Sequence, residues 1–574
     1  MEHRHSSGIS SYKQLKARIV MVGFVLLVTL PFINKAFHID DRIYLEIAWN
    51  ALQKPLFPYD YPPLFEGLET PDAASHSHLP LTSYYLALVW LLTGSEQEWV
   101  YHLAFLIFPV ITIFSLYELS GRFVRHRLPV AILLIASPAF LVLSHTLMTD
   151  VPLLAFWLLA TASLVRIVDK SGTEDPPSRC DYFLLTAGIL GSAFISLISI
   201  GLVLLCLAYL WLEHRSGRKK LPIAALLSII LAPLLLWVLW YVRAYLYYDR
   251  FVLLNTFSHI QKRAAFDWTL MAVKALSFIV NVGGVILFPP LVWVAFRGAV
   301  LTRLMLFLVF LAMIPFYLGN FDWGFANILL FAIFFTSGLL VLLHFVRKCP
   351  VLFSAPLQGM LGLWLAGIFA SCLLLYYAGS VRYILLALPP VILAWAAVLE
   401  KRATSLQTAR YWLWGAVVLT LLYSLPVAWA DYCFAGQYRD VARKLTARYA
   451  APGRQIWLTG EWGFRYYLEK AGGKPLLRTN ISARPGDFLM KPYIATPWVT
   501  VYDGSEYSRL VEQVPLKSDF PIRILDFSSH AGFYSTGWGI LPFAWREQER
   551  WEWINVFEIV RPYEGEPPTP ERHW

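Results

Sequence analysis

The chain has 574 residues, 57% hydrophobic and 15% charged, with mean hydropathy +0.54 and a formal net charge of +10. Soluble proteins are typically about a quarter charged, so these values exclude an ordinary globular enzyme and indicate a polytopic helical membrane protein. The positive balance reads as topological bias rather than nucleic-acid binding.

Apolar blocks lie near residues 18–34, 99–119, 128–147, 151–168, 182–198, 199–213, 221–242, 269–296, 301–319, 325–346, 356–376, 383–399 and 411–430. They predict thirteen helices, since ~20 helical residues cross a ~30 Å hydrocarbon layer. No small-residue cleavage site follows the first block, so it reads as a retained span. The block Leu79 to Leu92 is too short to cross and carries Thr82, Ser83 and two tyrosines, which predicts an interfacial or re-entrant helix. The stretch Tyr182 to Leu212 is too long for one span and is split into a tight helical pair.

With a cytoplasmic N-terminus and Leu79–Leu92 not crossing, 21 Lys and Arg fall in cytoplasmic segments and 8 in the outer loops before Trp429. That asymmetry selects this orientation. The segment after Trp429 then lies outside. In it "YRDVARKLTARYA" reads as an amphipathic helix, "RQIWLTG" as a strand, "WGFRYYLEKAGG" as a glycine-ended helix and "WINVFEIVRP" as a late strand. The expected fold is an all-α polytopic membrane domain of about thirteen transmembrane helices plus interfacial helices, residues 1–430, and a C-terminal soluble α/β domain, residues 431–574. An outer loop spans residues 34–98. The five cysteines, Cys180, Cys206, Cys349, Cys372 and Cys433, form no CxxC pair, so neither zinc nor a disulfide framework is indicated.

The outer loops hold the polar candidates. "FHIDDRIYLEIAWNAL", Phe37 to Leu52, places Asp40 and Asp41 before an amphipathic helix. Its apolar face is Ile43, Tyr44, Ile47, Ala48, Ala51 and Leu52; Arg42, Glu46, Asn50 and Gln53 form the other face. One aspartate is explained as an N-cap. The second is not, and capping and a functional role both stay open for the pair. His76 and His78 lack a clear third ligand, so no metal site is indicated. Asp150 and Pro152 suit the first turn of a helix, with capping a strong competing role. Arg382, followed by Tyr383, opens a late span on the outer side against the charge bias. Snorkelling to headgroups and clamping a phosphate both fit it.

These elements resemble the GT-C superfamily of integral-membrane glycosyltransferases. The nearest branch is the bacterial relatives of protein O-mannosyltransferases and lipid A aminoarabinose transferases. In family order, an acidic pair follows the first span ("HIDDRIYLEIAWNAL"). A His-x-Pro-Leu turn opens a juxtamembrane helix ("HLPLTSYYLALVWLLTG"), "MTDVPLLAFWLLA" brings a further aspartate, "VRYILLALPP" opens a late span, and a soluble tail follows. The resemblance implies Asp40 as catalytic residue, with Asp41, His78, Asp150, Arg382 and Tyr383 binding substrate. The family often has a lysine in the turn that reads "FISLISIG" here, and aminoarabinose transferases have one where Leu79 stands. Arg243, Arg250, Lys262 or Arg263 is the expected substitute.

The implied function is an inverting glycosyltransferase. It would move a sugar from a polyprenyl-phosphate donor to an acceptor hydroxyl on protein, lipid A or polysaccharide. The implied place is a bacterial inner membrane, with the C-terminal domain periplasmic and membrane lipids around the helices. No cofactor is required; a divalent metal is possible but not indicated. The alternatives are a transporter or flippase, or a non-catalytic binding protein, for lipid-linked sugars. The mid-span positions are almost entirely apolar, which disfavours transport.

Overall fold

The computed structural model describes residues 2–69, 78–217, 221–249, 251–252, 268–286, 299–317, 323–352, 355–374, 380–478, 482–495, 502–535 and 537–564. Among them, nine helices are long and apolar enough to cross a membrane: Gln14–Phe32, Glu98–Ser120, Asp150–Lys170, Leu197–Arg215, Ile223–Tyr248, Phe325–Arg347, Pro356–Leu374, Val381–Arg402 and Leu406–Tyr449. Each of the thirteen apolar blocks carries helix. The outer surfaces of these helices expose Leu27, Leu235, Leu239 and Leu246. Apolar side chains displayed on that scale belong against lipid. The chain is a multi-pass membrane protein.

Local chemistry sets the breaks. The block at 128–147 divides into Arg127–Ala136 and Pro138–Leu143. Pro138 holds Ser137 extended, and the Ser137 hydroxyl accepts from the Phe140 N–H at 3.3 Å, capping the second helix. Tyr182 to Leu212 divides as predicted. Helix Arg179–Ala193 ends, a tight turn follows, and helix Ile200–Arg215 begins. The turn docks on the His78 segment, since the Leu79 N–H donates to the Ile195 carbonyl at 2.9 Å and the Leu81 N–H to Phe194 at 3.1 Å. Helix Leu81–Thr93 has 13 residues, short of a span, and ends at Gly94 with φ +62°, a conformation glycine adopts at no steric cost.

Two expectations need correction. "YRDVARKLTARYA" is not a separate helix: Leu406–Tyr449 runs unbroken for 44 residues, capped at its start by the Ser405 hydroxyl. Beyond the apolar half, Val427, Ala428, Asp431, Phe434, Ala435, Tyr438, Val441, Ala442 and Leu445 are buried. That is a 3–4 residue stripe facing the C-terminal region, and it keeps the helix packed beyond its apolar half. Nor does Asp41–Gln53 show solvent its whole polar face. Arg42 is 3% exposed, because helix Trp462–Lys470 and the loop before it cover it.

The C-terminal region forms a five-stranded sheet in the order Lys474–Pro475, Ile456–Leu458, Phe488–Pro492, Arg550–Ile559, Ser508–Lys517. The first three strands are mutually parallel, with Ile456 opposite Phe488. Arg550–Ile559 runs antiparallel between its neighbours, pairing Val556 with Met490 and Ile554 with Val514. The strands expected from "RQIWLTG" and "WINVFEIVRP" are both present, as is the helix in "WGFRYYLEKAGG". One hydrophobic core runs from the bundle (Leu154, Ile392) into this region (Ile456, Leu525, Ile554).

Candidate active site

Three segments distant in sequence meet at the end of the bundle that carries the sheet. Asp40 stands at the N-cap of Asp41–Gln53, Asp150 opens the helix Asp150–Lys170, and Arg382 lies in the turn Val381–Ile384. Arg382 Nη1 donates to Asp40 Oδ2 at 3.1 Å, and Arg382 Nε lies 3.5 Å from Asp150 Oδ2. The side chains are 11% exposed for Arg382, 14% for Asp150 and 29% for Asp40, so Asp40 is the most open of the three. Burying a lone guanidinium costs several kcal/mol, and two carboxylates offset that.

The geometry separates the two adjacent aspartates. Neither caps the helix with its side chain: Asp40 sits at the N-cap without a capping bond and turns to Arg382. Asp41 was expected to orient substrate, but it is fully buried with both oxygens engaged. Oδ2 accepts from the His38 N–H at 2.9 Å and Oδ1 from the Leu147 N–H at 2.7 Å. Burial pushes its carboxyl up to about 7, against the opposing pull of Lys35 and the two N–H donors. Asp41 therefore staples the loop before Asp40 to the segment before Asp150.

His78 joins the cluster through a neighbour. Its Nδ1 lies 3.3 Å from Thr149 Oγ1, and Thr149 Oγ1 lies 3.5 Å from the Tyr44 hydroxyl. Burial, then the Asp40 charge, raises the Tyr44 phenol, which stays protonated. Tyr59 donates to the His78 carbonyl, and its ring meets Trp240 at 6.2 Å. Trp240 and Phe57 in turn flank Arg243, whose guanidinium lies 5.1 and 4.4 Å from their ring centres. Tyr383, beside Arg382, is half-buried against the core. Of the proposed lysine substitutes, Arg250, Lys262 and Arg263 lie outside the described residues, as does His76. Among the described residues, no three His, Cys, Asp or Glu side chains form a metal-holding group.

The loop delivering Asp40 is strained and tightly held. Ile39 adopts φ 51°, a left-handed conformation costly for a β-branched residue. Its neighbours over-determine it: the Phe37 N–H donates to the Tyr467 hydroxyl at 2.8 Å, and Lys35 pairs with Asp431. Gly463 is required where its helix meets this loop, because a Cβ there would lie 2.4 Å from the Phe37 carbonyl oxygen. His38 is packed among Phe434, Tyr438, Trp462 and Tyr534, and burial followed by Lys35 holds it well below the usual histidine range, hence neutral. Sequence reading missed Lys35, Thr149, Asp431 and Tyr534. A lysine one residue past an apolar span, and an aspartate within the last apolar helix, were the available signals.

The fold and this cluster define a polytopic membrane protein with a carboxylate–arginine site at one end of its helical bundle. Residues 75–240 match the family described as dolichyl-phosphate-mannose-protein mannosyltransferase. The resemblance to GT-C membrane glycosyltransferases is borne out over that stretch, which contains His78 and Asp150. Among solved structures, the chain is similar to ArnT from Cupriavidus metallidurans bound to undecaprenyl phosphate, at 13% identity over 83% of this chain and 92% of that one, TM-score 0.45. It is similar also to the arabinofuranosyltransferase AftD from Mycobacteria, at 12% identity over 95% of this chain and 40% of that one, TM-score 0.38. No curated protein matches the chain in sequence.

Proposed function

We propose that the protein is an inverting glycosyltransferase that moves a sugar from a polyprenyl-phosphate carrier to an acceptor hydroxyl. The observation that carries this reading is the Asp40–Arg382–Asp150 cluster. Asp40 Oδ2 is held by Arg382, which fixes the carboxylate plane. Oδ1 then takes the proton of the acceptor hydroxyl as that oxygen attacks the anomeric carbon. Positioned base catalysis of this kind contributes about 10²–10⁴ in rate. Asp150, on the other edge of the guanidinium, orients sugar or acceptor hydroxyls, with Thr149 and His78 beside it.

The leaving group is the lipid phosphate, which gains charge as the glycosidic bond breaks. Arg243 is the proposed phosphate ligand on the way out. A run of side-chain contacts through Trp240, Tyr59 and His78 links it to the carboxylate cluster. The matching family is described by a dolichyl-phosphate sugar donor, which supports the same donor class here. We place all thirteen helical blocks across a bacterial inner membrane, with the N-terminus cytoplasmic and the C-terminal region periplasmic, on the strength of the Lys/Arg asymmetry. Arg382 supplies the positive charge beside the base, so we propose no cofactor. Turnover unaffected by a chelator fits that, and loss restored by a divalent cation contradicts it.

The test uses the full chain in lipid nanodiscs with polyprenyl-phosphate-linked hexoses and pentoses. The expected result is acceptor-dependent release of polyprenyl phosphate, with the anomeric configuration inverted in the product. Binding of these donors without release under any acceptor would support the non-catalytic reading instead.

A further inference from the structure

The C-terminal region does more than cover the site. Lys35, five residues before Asp40, is 1% exposed and paired with Asp431, itself 1% exposed, on the long helix Leu406–Tyr449. Tyr534 completes a triad. Its hydroxyl donates to Asp431 Oδ1 at 3.0 Å and lies 3.4 Å from Lys35 Nζ, which donates to it. Tyr534 follows Phe533, whose carbonyl accepts from the Val381 N–H at 3.2 Å. Val381 precedes Arg382, and Arg382 holds Asp40. A closed ring results: the Asp40 loop, Lys35, Tyr534, Phe533, Val381, Arg382, and back to Asp40.

We propose that Tyr534, with Asp431 and Lys35, is a positioning residue that sets the spacing of Asp40 and Arg382. The C-terminal region is thereby part of the active site's construction. An expendable ion pair does not account for the arrangement. A buried pair is weak evidence for stability, and equal-volume apolar side chains often serve a core as well. Here the triad joins the two backbone segments that carry the reacting carboxylate and its partner, and one of those segments is strained at Ile39. Small displacements of a base cost rate steeply, because catalysis depends on near-attack geometry. The Tyr534 ring also packs edge-on to Phe533 and His38, at 5.3 and 5.9 Å between centroids, so Tyr534→Phe keeps the packing and removes only the hydroxyl.

The inference rests on the proposed glycosyl transfer, and its test keeps the two separable. Purified full-chain Tyr534→Phe is compared with wild type for melting temperature, kcat and donor KM. Amide hydrogen exchange is measured in the peptides covering residues 33–41 and 380–388. The expected result is a melting temperature within a few degrees of wild type, donor KM within twofold, and kcat lower by at least tenfold. Exchange should be faster in those two peptides and unchanged elsewhere. In an Asp40→Asn background the kcat loss should vanish, since positioning acts only through the base. A kcat within twofold of wild type, or unchanged exchange in both peptides, overturns the proposal. So does a loss that tracks a general fall in folded protein with exchange raised throughout. If Asp40→Asn itself transfers sugar at the wild-type rate, the catalytic reading fails and the proposal falls with it, whereas normal Asp40 dependence with a wild-type Tyr534→Phe overturns the positioning role alone.

Discussion

Arg382 bridges two carboxylates that lie 110 residues apart in the chain, donating to Asp40 Oδ2 at 3.1 Å and facing Asp150 Oδ2 at 3.5 Å. A guanidinium does this with donors on two edges of one rigid plane, and an ammonium has no such fork. Arg382→Lys should therefore keep the charge and lose the bridge. We expect a folded protein with kcat lower by about 10–10². Arg382→Ala leaves two partly buried carboxylates without a counter-charge and should lower stability by roughly 3 kcal/mol. Steady-state transfer rates and thermal unfolding in one detergent check both variants. Wild-type turnover by Arg382→Lys would show that the bridge is dispensable.

Asp41 makes the opposite prediction from its neighbour. Its two oxygens accept from the N–H groups of His38 and Leu147. Asparagine keeps one acceptor oxygen, so Asp41→Asn strands one buried donor, at about 1–3 kcal/mol. The melting temperature should fall, while transfer per folded molecule stays within a few-fold of wild type. Loss of turnover at full stability would return Asp41 to the substrate-binding set.

Glu552 gives a pH signature of folding. It is buried on strand Arg550–Ile559, accepting from the Tyr438 hydroxyl and from the Ile494 N–H. Burial pushes its carboxyl from the usual 4.5 to about 7. The folded state then holds a proton that the unfolded state releases, so this contribution is full below about pH 4.5. It is lost as pH rises toward 7, at up to about 1.4 kcal/mol per pH unit. Glu552→Gln removes the titration. Relative to wild type, its melting temperature should climb between pH 5 and 7.5 and then stay level. A constant difference across that window would contradict the assignment.

Much of the site was legible because its signals are local. An acidic pair just past a span, an aspartate at a helix start and an outer arginine can each be found by position. The existence of a split within Tyr182–Leu212, and of strands in "RQIWLTG" and "WINVFEIVRP", followed from length and alternation; their exact bounds, a helix end at Ala193 and a strand beginning at Arg550, did not. What periodicity could not reveal was contact between distant segments. The Lys35–Asp431–Tyr534 triad and the covering of Arg42 by Glu461 depend on segments hundreds of residues apart. The same limit hid the division of labour within the acidic pair. Only the positions of Leu147 and Arg382 distinguish a carboxylate that staples loops from one that faces an open site. The unbroken helix Leu406–Tyr449 escaped for a different reason. Its apolar stripe narrows at Asp431, which reads as a boundary until the buried partner of that aspartate is known.

The central claim is that Asp40 is the base for acceptor attack. The most direct measurement is the rate of sugar transfer by purified, fully inserted Asp40→Asn, with donor binding and melting temperature measured on the same sample. Asparagine keeps the size of the side chain and removes its basicity, so kcat should fall by at least about 10² with donor affinity retained. Transfer within a few-fold of wild type, by a protein that binds donor and melts normally, would contradict the account.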